Sequence, residues 1–368
     1  MKLRSLFLTA ICGLAVSTAI TSCSDDEYDP YEGGSQVALP EHRGFVLNEG
    51  NSKDNNASIS LFDARQDTTT ATELDLYFTQ NDKQLGSLGQ DMIEYGGNIY
   101  VVVYGSAYIA KLNRSCVEQC RTSIDAEYGA PRYIVGEGGK LYVTSVGGYV
   151  LRLNPDDLSV ETAVKVGKVP EKPCVDDGKL YVPLGNTYDM MTVNNKLAIV
   201  DLRNFTPAAV KYVEMTNNLQ LAVENNGYVL TMSYGDDWMT TPMWMYDIKN
   251  VKAEDTGEQV TYMMEYDDIF LCVFSETDWN TYQTVNHFFT YDPATKKKTD
   301  VTEKVVAEEP TLATASIYSI SEGKDDSFYL TTTMYSAGNG TVYHFSKDFK
   351  LIGSFTSWGQ NPRKVVVI

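Results

Sequence analysis

A short Tyr- and Val-rich strand signal recurs seven times along this chain, and that recurrence limits what it can fold into. The segments read GFVLN at 44–48, IYVVV at 99–103, LYVTS at 141–145, LYVPL at 180–184, YVLTM at 228–232, FLCVF at 270–274 and FYLTT at 328–332. A second strand signal follows each one: SISLFD at 58–63, YIAKLN at 108–113, YVLRLN at 149–154, KLAIVD at 196–201, MWMYD at 243–247, HFFTYD at 287–292 and VYHFS at 342–346. Measured from Tyr100, Tyr142, Tyr181, Tyr228 and Phe270, the spacings are 42, 39, 47 and 42 residues. A period near forty with four short strands per unit is the signature of a β-propeller. Glycine-rich and Asp-Gly turns punctuate the strands, and no helical period is sustained beyond the N-terminal twenty-two residues. The expected fold is all-β, a seven-bladed propeller, with six or eight blades as the alternative.

The two ends predict how the ring closes. The first unit begins at Gly44 directly on its second strand, with no lead strand before it. The last residues, Asn361-Pro362-Arg363-Lys364-Val365-Val366-Val367-Ile368, are patterned like the lead strand Ala130-Pro131-Arg132-Tyr133-Ile134-Val135. Lys364–Ile368 is therefore expected to be the inner strand of the blade begun by Gly44–Asp63. Closure of this kind removes the open edges of a sheet.

Ahead of the repeat, Lys2 and Arg4 precede an apolar run over 6–20, too short for a comfortable membrane span and right for a signal-peptide core. Ile20-Thr21-Ser22-Cys23 resembles a bacterial lipobox. The expectation is a signal peptide over 1–22, lipid on Cys23, a polar tether over 23–42 and a propeller domain over 43–368. The alternative is cleavage at another small residue, with Cys23 incidental. Ser24-Asp25-Asp26-Glu27 resembles the surface-export signal of Bacteroidetes lipoproteins, which implies an outer-membrane, lipid-anchored protein facing the cell exterior.

The net charge is −19 with an isoelectric point near 4.6. That argues against nucleic acid, which needs a basic footprint, and leaves lipid as the only expected contact with a membrane. Of the remaining cysteines, Cys174 and Cys272 lie in apolar runs and read as small buried hydrophobes. Cys116 and Cys120 would stand roughly 13 Å apart on one strand, beyond disulfide reach, so a bridge needs a turn between them.

Propellers bind on the face that carries the loops between second and third strands and those leading into each inner strand. Here these loops hold Tyr104, Tyr128, Arg132, Tyr188, Asp236, Asp237, Trp238, Trp279, Tyr282, Tyr335, Trp358, Asn361 and Arg363 as candidate ligand-binding residues. Aromatics at one mouth give rigid contact area with a polar handle, and Asn186, Asn195, Asn280 and Asn339 are candidates to fix orientation. The alternative is that Tyr-rich loops pack on one another and cap the ring. Support for catalysis is weak. His42, His287 and His344 are not spaced as metal ligands, no Gly-x-Ser-x-Gly elbow occurs, and acidic pairs such as Asp236-Asp237 and Asp267-Asp268 are expected to be solvated loop charges. No catalytic residue, metal site or resident cofactor is expected.

Phe45-Val46-Leu47-Asn48-Glu49-Gly50-Asn51, followed by Asn55-Asn56-Ala57-Ser58-Ile59-Ser60-Leu61-Phe62-Asp63, resembles the opening blade of YncE-like propeller lipoproteins of Bacteroidetes. Leu85-Gly86-Ser87-Leu88-Gly89-Gln90-Asp91-Met92 resembles the inner strand that follows there, and the Pro-Arg-Lys ending resembles the family's last strand. That family includes BtuG-type surface proteins. The resemblance implies capture of a corrinoid (cobalamin, vitamin B12) and cooperation with a TonB-dependent outer-membrane transporter. The shared segments form a blade and are not ligand contacts, so no family binding residue is carried over. Two other functions stay open: a glycan-binding or glycan-processing surface protein, and a protein-interaction scaffold with no small ligand.

Overall fold

The computed structural model describes residues 32–65, 74–235, 239–278, 280–281 and 283–368. Its strands form seven antiparallel sheets, six of four strands and one of three. In each four-stranded sheet the strands follow chain order, as in Gly89–Tyr95, Asn98–Val103, Tyr108–Leu112 and Glu118–Ser123. The first strands of successive sheets touch, and the circle closes through Gly89–Tyr95, Pro131–Glu137, Cys174–Asp176, Leu219–Asn225, Tyr262–Tyr266, Ile317–Glu322 and Pro362–Val367. This is a seven-bladed β-propeller with those strands around its axis.

The strand types follow from position. A second strand is covered by the neighbouring blades on both faces, so it reads as a continuous apolar run; Ile99 to Val103 are each 1% exposed or less. An outer strand has one wet face, and Glu118–Ser123 alternates between partly buried and exposed residues.

Closure occurs as the sequence predicts. Arg43–Asn48 pairs on one side with Ser58–Asp63 and on the other with Pro362–Val367, placing Val46 opposite Val365 and Phe45 opposite Val366. Glu49 N–H to Asn361 O and Gly50 N–H to Gln360 O extend the seam. Gly44 is needed on its middle strand: a Cβ there would lie 2.0 Å from the Phe62 ring.

Among the described residues this first blade has no fourth strand. The helix Leu76–Asn81 packs beside Ser58–Asp63 instead, with Leu76 and Tyr77 in the core and the Asp75 carboxylate accepting the Phe78 N–H. A second helix, Thr302–Glu308, leads into the seventh blade and buries Val305. At six and seven residues, neither is long enough to show a helical period.

The tether expectation needs correction over its described part. Residues 32–40 dock on the propeller rather than standing free. Val37 and Leu39 pack on the first core cluster, Asn113 Nδ2 donates to Gly33 O, and Glu32 pairs with Arg43 at 2.9 Å. Two apolar residues in a polar segment suffice to hold it. Cys23 and the signal segment lie outside the described residues. Among the described residues no helix is long and apolar enough to cross a membrane.

Cys116, Cys120, Cys174 and Cys272 are all free. Cys116 sits buried in the turn before Glu118–Ser123 at φ 62°, and Cys120 lies on that strand. Cys272 is buried as expected; Cys174, on an inner strand, is only half-buried.

Candidate functional site

Because each blade is an antiparallel meander, all loops from second to third strand and from outer to next inner strand emerge on one face. The two-residue turns such as Gly96-Gly97 and Gly138-Gly139 emerge on the other. Every inner strand runs inward from the loop face, so its opening residues surround the upper channel. They enclose a cavity of about 350 Å³.

Arg132 and Arg363, two of the thirteen candidate residues, are in its wall. Arg132 Nη2 donates to Glu171 Oε2 at 2.6 Å, and its guanidinium stands over the Tyr104 ring, 5.3 Å from the centroid. Arg363 Nη1 donates to Glu49 Oε2 at 2.6 Å, Nη2 to the Tyr133 hydroxyl at 3.2 Å and Nε to Gln90 O at 2.8 Å. Tyr318 O–H also donates to Glu49. Burial works against the Arg363 charge, but Tyr133, Glu49 and Tyr318 together outweigh it and hold its proton well above the ordinary range. Burial pushes the Glu171 carboxyl up, against the pull of Arg132.

The other candidates divide. Tyr188 is 98% exposed, Tyr335 59% and Trp358 45%, all on the loop face. Tyr128 packs edge-on against Tyr149 at 5.2 Å and caps its blade. Asn361 is a lock on the closing seam: its Oδ1 accepts from Thr333 Oγ1 and its Nδ2 donates to Gly50 O. Asn186 is likewise spent, on the Asn194 N–H. Trp244 packs in a blade core. Asp236, Asp237, Trp238, Trp279 and Tyr282 lie outside the described residues.

Sequence reasoning missed most of the channel wall: Gln90, Asp91, Tyr133, Lys172, Gln220, Tyr234, Tyr262, Tyr318 and Lys364. The signal was present. Gln-Asp, Arg-Tyr and Arg-Lys at 90, 132 and 363 are polar pairs near the openings of inner strands, and Glu-Lys at 171 stands just before one, where core packing alone would place apolar residues.

The opposite mouth is acidic. Glu94, Glu137, Asp176, Glu224, Glu265 and Glu322 stand near the ends of six inner strands. Burial, with Glu322 and Glu224 nearby, raises the Glu265 carboxyl from 4.5 to about 7. An unfolded glutamate releases its proton near 4.5 and the folded one only near 7, so the native state loses stability as pH rises between those values. Glu265→Gln should therefore melt above the parent at pH 8 and together with it at pH 4. Thermal unfolding followed by circular dichroism checks this, and equal melting at pH 8 would count against the raised carboxyl. Among the described residues, no three His, Cys, Asp or Glu side chains converge as a metal site.

No family model and no curated protein matches the chain. Solved structures do resemble it. A quinoprotein alcohol dehydrogenase-like protein from Bacteroides thetaiotaomicron aligns with TM-score 0.60 at 15% identity, over 88% of this chain and 77% of that one. Virginiamycin B lyase from Staphylococcus aureus aligns with TM-score 0.53 at 8% identity, over 72% and 82%. Hydrazine synthase from Kuenenia stuttgartiensis aligns with TM-score 0.53 at 10% identity, over 74% and 92%. At these identities the likeness is one of fold alone.

Proposed function

We propose that this chain is a non-catalytic capture protein: it holds a bulky ligand, a corrinoid in the first place, over its loop face and passes it to a TonB-dependent outer-membrane transporter. Lipid on Cys23 would keep it at the outer membrane, facing the exterior. One observation carries the capture reading. Of thirteen exposed large hydrophobic residues among the described ones, nine lie on this face. Tyr188, Met191, Met239, Met334, Tyr335 and Trp358 are the principal ones. Apolar side chains gathered on one face mark a surface that binds something. Methionines adapt to irregular surfaces and aromatics give rigid ones. The docked segment 32–40 also supports the orientation, since Glu32 meets Arg43 at the opposite end of the blade.

The test is calorimetry and thermal unfolding of the full chain, in detergent, with cyanocobalamin. Saturable heat is expected, with about 2.7 kcal/mol of added stability at a hundredfold excess over Kd. Tyr335→Ala and Trp358→Ala should each weaken binding about tenfold. No heat and no thermal shift would sink the corrinoid reading. The exposed methionines favour a protein partner as the second reading, and recovery of a transporter without any small ligand would support it. Binding to a saccharide panel instead would point to a glycan.

A further inference from the structure

Below the apolar rim, the channel carries a positive excess that the molecule as a whole lacks, its net charge being −19. Four cations line the chamber: Arg132, Lys172, Arg363 and Lys364. Three carboxylates stand within reach, and each is already engaged. Glu171 is held by Arg132 and Glu49 by Arg363, both at 2.6 Å. Asp91 accepts the backbone N–H groups of Met92 at 3.0 Å and Ile134 at 3.1 Å.

That leaves the two lysines. Neither the Lys172 nor the Lys364 ammonium has a hydrogen bond or ion pair with any described residue, and both face the cavity. The Tyr262 hydroxyl, in the wall of the same cavity, also has no hydrogen-bond partner among the described residues. An ammonium drawn out of water without a direct partner is costly; Asp91 and Glu322 act on Lys172 without pairing with it. Here the space for one is present: about 350 Å³ holds on the order of ten water-sized groups.

We propose that this chamber is a binding site for a small oxyanion, a carboxylate or phosphate-type group held by Lys172 and Lys364, with Tyr262 donating a hydrogen bond. The site goes beyond corrinoid capture and does not depend on what covers the rim. The anion is either free in solution or a projecting group of the rim ligand; the chemistry of recognition is the same.

The protonation of Lys172 fits an empty anion site. Burial, then repulsion from Lys364, lowers its pKa from 10.5 to about 8. The charged groups around it are Lys364 and Arg363 on the closing strand, Asp91 on the second blade's inner strand, and Glu322 on the seventh's. Arg132, Tyr133, Tyr234, Tyr262 and Tyr318 are the other titratable or charged groups of the wall. Above pH 8 the site loses one of its two unpaired charges, so an anion should bind less tightly there.

The experiment is calorimetry of the full chain with sodium sulfate, whose charge is constant from pH 6.5 to 9.5. Saturable binding at pH 6.5 is expected, at least tenfold weaker at pH 9.5 and at least tenfold weaker in Lys172→Met and in Lys364→Met. Lys172→Met removes a desolvated charge, so it should melt no lower than the parent at pH 6.5. Competition between sulfate and cyanocobalamin would identify the anion as part of the rim ligand; independent binding would identify it as a free solute. Absence of sulfate binding, binding unaffected by either lysine variant, or a lowered melting temperature for Lys172→Met would each overturn the proposal. None of these outcomes depends on whether cyanocobalamin itself gives heat.

Discussion

Removal of residues 362–368 is expected to abolish folding of the whole propeller. The strand Pro362–Val367 is the inner strand of the first blade and touches both neighbouring inner strands. Val365 is 1% exposed and Val366 8%. Burial of two such side chains is worth about 3–6 kcal/mol, before the backbone pairing with Arg43–Asn48 is counted. A domain stable by about 5–15 kcal/mol does not survive that loss together with a new open edge. Gel filtration and circular dichroism should show aggregated material with no cooperative melt. A truncated chain that stays monomeric and melts within 5 °C of the parent would refute the closure argument. Because the loss is structural, no ligand should restore the melt.

Arg363→Ala is the second large effect expected. It leaves the Glu49 carboxylate, 15% exposed, without its cation, and removes the group that ties the closing strand to Gln90 and Tyr133. Breaking a buried pair from one side costs about 3–5 kcal/mol, most of it the stranded charge. The double variant Arg363→Ala with Glu49→Gln should recover part of that, since an amide is cheaper to bury than a carboxylate. Urea unfolding measures both. A single-variant cost below about 1 kcal/mol, or no recovery in the double variant, would show that the pair does not hold the seam.

Most of the fold was legible in the sequence. Seven apolar second strands, each buried on both faces, stand out without any knowledge of tertiary contacts, and the missing lead strand before Gly44 pointed to the strand ending at Val367. Helix Leu76–Asn81 was not legible, because six residues carry no period. Nor was the docking of 32–40, since Val37 and Leu39 do not stand out in a polar segment. The candidate site was legible in part. Tyr188, Tyr335 and Trp358 are exposed at the mouth as loop aromatics should be. Asn361 and Tyr128 looked the same in sequence, but Asn361 bonds across the closing seam and Tyr128 packs on Tyr149.

The repeat, the blade number and the way the ring closes are written in the order of residues along the chain. These depend on hydrophobic pattern and strand length, which are local properties. Which polar residues meet is settled by the folded ring. Glu49 and Arg363 are separated by nearly the whole chain, and Arg132, Lys172 and Lys364 come from three different blades. They share one chamber because seven inner strands converge on one axis. Charge pairing is set by distances across that axis, and no spacing along the chain records it.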